Sequence, residues 1–194
     1  MARFFLNIAK LINKFSSFLW SFSFLKLGSK STLCYPFSAV NAKNISVGRN
    51  TYIRSRAWFV VQPDDKMSNE EILSIGSNTY IGRNAHIVAV KSVQIADDVL
   101  FADNVFVTDS YHGFEQADIP IKNQKVKFKS EVFIGEQSWV GENVCVIASK
   151  IGKHCIVGAN SVVTSDIPDY CIAVGSPARV IKKYSCETQN WEIV

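Results

Sequence analysis

One segment of the sequence combines a histidine with a nearby carboxylate in a polar loop. The run NVFVTDSYHGFE follows an apolar stretch and places Asp109 three residues before His112. The pKa of a histidine lies near neutral pH, so its imidazole can take a proton from a hydroxyl. His112 is therefore a candidate general base, although an isolated histidine in a polar loop is more often a solvated surface residue. Asp109 could orient that imidazole or cap the turn, and both roles stay open at this point.

The other histidines and the cysteines give no sign of a metal centre or of disulfides. His86 and His154 fall near corners of a short repeat, so we interpret both as structural. Cys155 takes a small inward position of that repeat and is expected in the core. The five cysteines are odd in number, widely scattered and without a CxxC pair. This argues against a disulfide framework or a zinc ribbon and favours a reducing cytoplasm.

Apolar residues recur every six positions over most of the chain after residue 45. Each opens a unit such as IGSNTY or IGRNAH, in which a small residue and two polar residues follow. Six residues make a short strand and a corner, and glycine or asparagine suits the positive φ that corners often require. Three units make a coil of about 18 residues, and stacked coils pair as parallel strands about 4.8 Å apart. The recurring positions are Val47, Ile53, Phe59, Ile75, Ile81, Ile87, Ile95, Phe101, Val107, Ile134, Val140, Val146, Ile151, Val157 and Val163.

This spacing predicts an all-β protein, a parallel β-helix of hexapeptide repeats, rather than a β-sandwich with turns at intervals of about 8–12 residues. Three interruptions break the repeat: the polar stretch 62–71, the short step from Val146 to Ile151, and the segment 109–130. Long loops that leave a rigid scaffold often carry function, so we expect the site in the loop 109–130.

The C-terminal half carries motifs of a known family. The elements GANSVVTSDIP and AVGSPARVI, together with the loop histidine, resemble the hexapeptide-repeat acyltransferase superfamily, in particular its galactoside, maltose and polysaccharide O-acetyltransferase branch. The resemblance covers about residues 45–184. It implies a left-handed β-helix, acetyl-CoA as the co-substrate, no metal, a sugar or oligosaccharide acceptor, and a homotrimer whose sites are shared between subunits.

The resemblance also implies roles for individual residues, first of all that His112 is the general base that removes the proton of the acceptor hydroxyl as it attacks the thioester. Asn84 and Tyr111 are the expected contacts to the acceptor. Relatives usually carry a lysine where Ser165 stands and a small residue where Glu142 stands, so these two positions depart from the family pattern. The expected contacts to CoA are Trp139, Glu142, Ala159, Thr164, Ser165, Arg179 and Lys182.

The chain divides into three parts by composition. Residues 1–30 form a basic segment in which Phe4, Ile8, Leu11, Phe15, Phe18 and Phe22 recur at helical steps. Its longest uncharged run, 15–25, has 11 residues, fewer than the roughly 20 that span a bilayer. The segment is predicted to be an amphipathic helix that lies on a membrane surface or caps the β-helix. Residues 31–184 form the β-helix domain, and residues 185–194 a short tail or helix.

Charge separates these parts as well. The residues before Asp64 include nine Lys or Arg and no carboxylate, whereas the rest carries 12 basic and 17 acidic residues. No nucleic-acid-binding motif accompanies this bias, so no nucleic-acid partner is expected. The sequence predicts a cytoplasmic acetyl-CoA-dependent O-acetyltransferase of polysaccharide or glycan biosynthesis, with peripheral membrane contact through residues 1–30 as an option. The alternatives are an N-acetyltransferase of an amino sugar and a non-catalytic β-helix scaffold.

Overall fold

The computed structural model describes residues 2–63 and 70–194. Most of the predicted polar stretch 62–71 therefore lies outside the described residues. One helix, α1 (Ala2–Ser21), precedes a stack of short strands that wind into three parallel sheets, here called faces A, B and C. Equivalent residues of successive coils pair in register, as Ile53 does with Ile81 and Val107 with Val146. The predicted parallel β-helix is confirmed.

The strands of each face are given in stacking order. Face A contains β1 (Lys26–Leu27), β4 (Ile45–Val47), β7 (Leu73–Ile75), β10 (Val93–Ile95), β15 (Val132–Ile134) and β18 (Lys150–Ile151). Face B contains β2 (Thr32–Leu33), β5 (Tyr52–Ile53), β8 (Tyr80–Ile81), β11 (Leu100–Phe101), β16 (Trp139–Val140), β19 (Ile156–Val157), β21 (Cys171–Gly175), β22 (Ala178–Ser185) and β23 (Asn190–Ile193). Face C contains β3 (Ser38–Val40), β6 (Trp58–Val61), β9 (His86–Ala89), β12 (Phe106–Thr108), β17 (Cys145–Ile147) and β20 (Val162–Val163).

Outside the three faces, β13 (Ser110–His112) and β14 (Val126–Phe128) form a separate antiparallel pair. Two 3₁₀ turns cover Ala42–Asn44 and Ile121–Asn123.

The core consists of inward rows that run the length of the stack. Each coil buries its apolar residues only against the coils above and below, and burial of one such side chain stabilises the fold by about 1.5–3 kcal/mol. Cys155 belongs to this core, as predicted, and burial raises the pKa of its thiol. The inward row of face B, at most 1% exposed, is Leu33, Ile53, Ile81, Phe101, Val140, Val157 and Ala173.

Asparagines and glycines have different tasks at the corners. Residues such as Asn84 (φ 56°) and Asn104 (φ 61°) supply the left-handed conformation, and the Asn84 amide donates to Oδ1 of Asn104 at 2.9 Å. The repeat glycines are needed instead for close stacking, because a Cβ on Gly48 would lie 2.5 Å from the carbonyl carbon of Gly76. The short step after Val146 is absorbed at Ala148, which has a φ of 49°.

The two ends of the stack differ from the predicted boundaries. Strand β1 begins at Lys26, so the first coil begins inside the segment assigned to the N-terminal helix. The C-terminal residues form no helix, the second of the two predicted alternatives: β22 and β23 add two antiparallel strands to face B, with Tyr184 opposite Trp191. The open edge of β21 needs hydrogen-bond partners, which this hairpin provides.

The N-terminal helix covers the first coil. Trp20 packs edge-on against Phe24 and Phe37, with ring centroids 6.0 and 5.2 Å apart, and Phe37 in turn contacts Phe59. These aromatic rings close the apolar interior at this end. Among the described residues, no helix combines the length and the apolar character needed to cross a membrane.

Candidate active site

The loop 109–130 leaves the stack after β12 and returns as the hairpin β13–β14. His112 lies opposite Val126 in this hairpin, and the Gly113 N–H donates to the carbonyl oxygen of Lys125 at 2.9 Å. At the base, the Lys129 N–H donates to the carbonyl oxygen of Asp109 at 2.8 Å. Paired backbone therefore fixes the position of His112, although its side chain is exposed.

Asp109 anchors this hairpin to the stack. Its carboxylate is fully buried and accepts the N–H groups of Val90 (2.9 Å), Lys91 (2.7 Å) and Ser92 (2.9 Å). These N–H groups belong to a corner where the six-residue spacing fails, and a buried N–H without an acceptor costs about 1–3 kcal/mol. These contacts favour the turn-capping alternative for Asp109, and no hydrogen bond joins Asp109 to His112 among the described residues.

A cavity of about 540 Å³ separates the hairpin from face C. Its floor is the outer surface of four successive coils, and one wall is the hairpin strand that carries Tyr111 and His112. The floor is largely apolar with a few polar groups, which is typical of a pocket for a small organic ligand. The lining residues are Trp58, Val60, Gln62, His86, Val88, Phe106, Thr108, Ser110, Tyr111, His112, Val126 and Ile147.

His86, which the sequence indicated only as a structural residue, lines this cavity. Its ring stacks on Trp58 with centroids 4.4 Å apart and an interplanar angle of 5°, and Phe106 lies 5.3 Å away on the next coil. Nε2 of His86 is buried and has no hydrogen-bond partner among the described residues. Burial lowers the pKa of His86, so the imidazole is neutral at pH 7.

The repeat itself contained a signal for this cluster. Trp58, His86 and Phe106 each stand directly before an inward residue of face C, so the alternation of a strand points all three outward. Parallel stacking in register then aligns them in one row. The signal is visible only when this position is compared between coils, because His86 alone gives no sign of its neighbours.

Only one of the two expected acceptor contacts, Tyr111, lines the cavity. Its ring lies 5.8 Å from that of Phe114. Asn84 is at a corner between faces B and C, where its amide binds Asn104, and it does not line the cavity. The acceptor contact through Asn84 therefore stays a prediction that this cavity does not support.

The expected CoA contacts do not gather around His112 within one chain. Thr164 and Ser165 directly follow β20 on face C, and Thr164 comes one residue after Val163, the partner of Val146. The other positions lie elsewhere on the last coils: Glu142 and Ala159 at corners between faces B and C, Trp139 and Lys182 on the outer surface of face B, and Arg179 in the exposed part of β22.

Two cross-strand relationships connect these distant positions. Trp139 and Lys182 belong to one row of face B through Ile156 and Ile172. The Arg179 guanidinium donates only to the neighbouring Ala178 carbonyl oxygen at 3.0 Å, so most of its donors are available to a phosphate. Among residues 2–63 and 70–194, no three His, Cys, Asp or Glu side chains are grouped as a metal site would require.

Comparison with known proteins agrees with this architecture. A family profile described as the hexapeptide repeat of succinyl-transferase matches residues 72–109 and 131–165. A putative lipopolysaccharide biosynthesis O-acetyl transferase, WbbJ, of Escherichia coli K12 is 38% identical over 62% of this chain and 65% of its own length. Galactoside O-acetyltransferase of the same strain is 32% identical over 72% of this chain and 66% of its own length. A putative acetyltransferase of Staphylococcus aureus COL is 31% identical over 63% of this chain and 68% of its own length.

Solved structures show the same fold. A galactoside acetyltransferase in complex with coenzyme A superposes with a TM-score of 0.60 at 25% identity, covering 91% of this chain and 73% of that one. AntD of Bacillus cereus, an N-acyltransferase, was solved in complex with dTDP and 3-hydroxybutyryl-CoA. It superposes with a TM-score of 0.72 at 22% identity, covering 89% of this chain and 90% of that one. The chain belongs to the hexapeptide-repeat acyltransferase family and has its left-handed β-helix. It spans about two thirds of the length of the curated relatives named above.

Proposed function

We propose that this protein transfers an acetyl group from acetyl-CoA to a hydroxyl of a sugar or oligosaccharide during polysaccharide or glycan biosynthesis. The observation that carries the proposal is the cavity on face C, where His112 faces an aromatic floor. A thioester is already activated, so such a site needs only to hold the two substrates together and to remove one proton. Similarity to O-acetyltransferases that act on galactosides or in lipopolysaccharide biosynthesis supports the same substrate class.

His112 acts as the general base in this proposal. Its imidazole accepts the proton of the acceptor hydroxyl while the oxygen attacks the thioester carbonyl, and collapse of the tetrahedral intermediate expels CoA, whose sulfur receives a proton. Backbone pairing of His112 with Val126 positions this residue along the cavity. General-base assistance of this kind is worth roughly 10²–10⁴ in rate.

The row Trp58–His86–Phe106 supports recognition of a sugar. The stacked rings of Trp58 and His86 offer a flat apolar surface to the C–H face of a pyranose, and Tyr111 adds a hydroxyl from the hairpin side. A neutral His86 can accept or donate one hydrogen bond through its buried Nε2, which a sugar hydroxyl would satisfy.

The distribution of the CoA positions favours a shared site. Trp139, Lys182 and Arg179 lie on face B and the C-terminal hairpin, whereas His112 lies beside face C, so one subunit does not surround CoA. A homotrimer in which face B of one subunit approaches the hairpin of the next would complete the site.

The five free cysteines are compatible with a cytoplasmic location.

The test is acetyl-CoA-dependent thiol release with a panel of mono- and oligosaccharides, comparing His112→Asn with His154→Asn. Asparagine cannot act as the base but keeps a polar side chain, and His154 lies at an exposed corner outside the cavity, where asparagine suits its φ of 52°. We expect kcat/KM to fall by about 10²-fold or more in His112→Asn and to stay unchanged in His154→Asn.

The other outcomes separate the alternatives. Transfer that occurs only to amino sugars and survives in His112→Asn would replace the proposal with N-acetylation, since an amine is already nucleophilic. Absence of transfer to any acceptor, together with absence of CoA binding, would leave a non-catalytic scaffold.

A further inference from the structure

Apart from Trp20 near its C-terminal end, helix α1 contacts the β-helix through its polar side. Oγ of Ser17 accepts the Leu33 N–H at 2.8 Å, and Oδ1 of Asn13 accepts the Tyr35 N–H at 3.0 Å. Leu33 lies on β2, the first strand of face B, whose other N–H groups already bind the second coil. An open sheet edge needs hydrogen-bond acceptors, which apolar side chains cannot supply. The helix therefore turns its polar side inward.

The consequence is an apolar stripe that points away from the protein. Leu11 and Phe15 stand two residues from Asn13, roughly on the opposite side of the helix, and are 69% and 62% exposed. An amphipathic helix of a globular protein normally buries such a stripe. The exposed stripe comprises Phe4, Ile8, Leu11, Ile12, Phe15, Phe18, Leu19 and Phe22.

Positive charge is concentrated at the same end of the molecule. The first 63 residues contain nine Lys or Arg and no Asp or Glu, whereas the remainder has five more acidic than basic residues, 17 against 12. Lys10 and Lys14 lie on one flank of α1, next to Leu11. Lys26, Lys30 and the arginines 49, 54 and 56 belong to the first two coils, and none of them is in an ion pair among the described residues.

We propose that the apolar stripe of α1 docks on an anionic lipid surface. The stripe would enter the boundary between headgroups and acyl chains, and Lys10 and Lys14 would contact the headgroups beside it. The acidic part of the chain lies further along the stack and would not oppose this contact. A second copy of the chain is a poorer partner for the stripe, because pairing two such helices would bring like charges together.

Vesicle co-sedimentation of the full-length protein tests the proposal. The vesicles are phosphatidylcholine alone or a mixture with phosphatidylglycerol, and the variants are Leu11→Gln/Phe15→Gln/Phe18→Gln and Lys10→Gln/Lys14→Gln. All five side chains are exposed, so these changes leave the docking bonds of Asn13 and Ser17 in place. The matched control is Ile193→Gln, an exposed apolar residue on β23, far along the stack from α1. The oligomeric state of each variant is measured in parallel by sedimentation velocity.

We expect the wild-type chain and Ile193→Gln to bind the anionic vesicles at low salt. The partition coefficient should fall by about 100-fold in the triple variant and by roughly tenfold or more in the lysine variant. Failure of the wild type to bind anionic vesicles, or equal binding to both vesicle types, would overturn the proposal. So would a triple variant that changes its oligomeric state, because the stripe would then be covered by another copy.

Discussion

Faces A and C have the same kind of interior and different exteriors. Both present stacked aliphatic residues to the core, Ile75, Ile95 and Ile134 on face A and Ile87, Val107 and Val146 on face C. The outward row of face A contains the small or polar residues Ser46, Ser74 and Gln94, followed by Phe133. The outward row of face C has aromatic rings on three consecutive coils, Trp58, His86 and Phe106, and the hairpin that carries His112 lies over this face.

This comparison separates what builds the fold from what builds the site. Inward positions are set by the stacking of coils and are similar on every face, because each must fill the same narrow interior. Outward positions are free of that requirement. A cavity arises where aromatic residues occupy outward positions of consecutive coils and where a loop projects over them, and face A lacks both features among the described residues.

The largest expected effect is a loss of stability when the hairpin is released from the stack. In Asp109→Ala, the N–H groups of residues 90–92 lose their acceptor, and we expect the free energy of unfolding to fall by about 3–5 kcal/mol. Asp109→Asn keeps one acceptor oxygen and should lose clearly less stability. Asp118→Ala, on the exposed part of the hairpin, should change the free energy of unfolding little. Urea unfolding measures all three. A stable Asp109→Asn variant with a displaced pH–rate profile would contradict this and restore a role in orienting His112.

Removing an aromatic ring from the cavity floor should have an intermediate effect, on binding of the sugar acceptor. Trp58→Ala should raise the KM for the sugar acceptor about tenfold, because a stacked aromatic contact is worth about 0.5–1.5 kcal/mol beyond its buried area. The change should leave the KM for acetyl-CoA and the melting temperature nearly unchanged. Phe133→Ala removes an outward aromatic residue of similar exposure from face A and should leave both KM values as they are. Equal effects of the two variants would mean that face C has no special part in acceptor binding.

The smallest effect concerns the pH dependence of stability through His86. Because burial lowers the pKa of His86 in the folded state, the unfolded state takes up the proton first as the pH falls through about 6.5. The folded protein should therefore lose stability on acidification by less than about 1 kcal/mol from this residue, since the ring is partly exposed and screened. His86→Phe should lose less stability than wild type between pH 7.5 and 5.5 in thermal unfolding. A variant with the same decrease as wild type would assign the loss to other groups.

Much of the fold was predictable because its signal is local and repeated. The spacing of Ile75, Ile81 and Ile87 indicates strand, corner and coil without any knowledge of distant contacts, and the structure confirms it. The C-terminal hairpin was missed for the opposite reason. Strands β22 and β23 lack the six-residue period, and their pairing depends on the free edge of β21, which exists only once the coils have stacked.

The site was predictable only in part. His112 was identified from its loop context, and the structure places it at a cavity. The residue opposite it, His86, was interpreted as structural because an isolated histidine in a repeat gives no sign of its neighbours on other coils. Asp109 illustrates the same difficulty, since its partners are backbone N–H groups of residues 90–92, which no side-chain motif reveals.

By itself the sequence determined the period, the inward rows, the family and the loop that carries the histidine, because these depend on residue types at fixed short spacings. The tertiary structure alone decided which outward residues meet, how the hairpin is anchored, and which side of α1 faces outward. Those features depend on residues that lie 16 or more positions apart and are brought together by stacking, so no local pattern encodes them. The helix shows this most directly. Its apolar stripe can be recognised from the sequence, but the direction of the stripe depends on the N–H groups of the first coil, which bind the opposite, polar side of the helix.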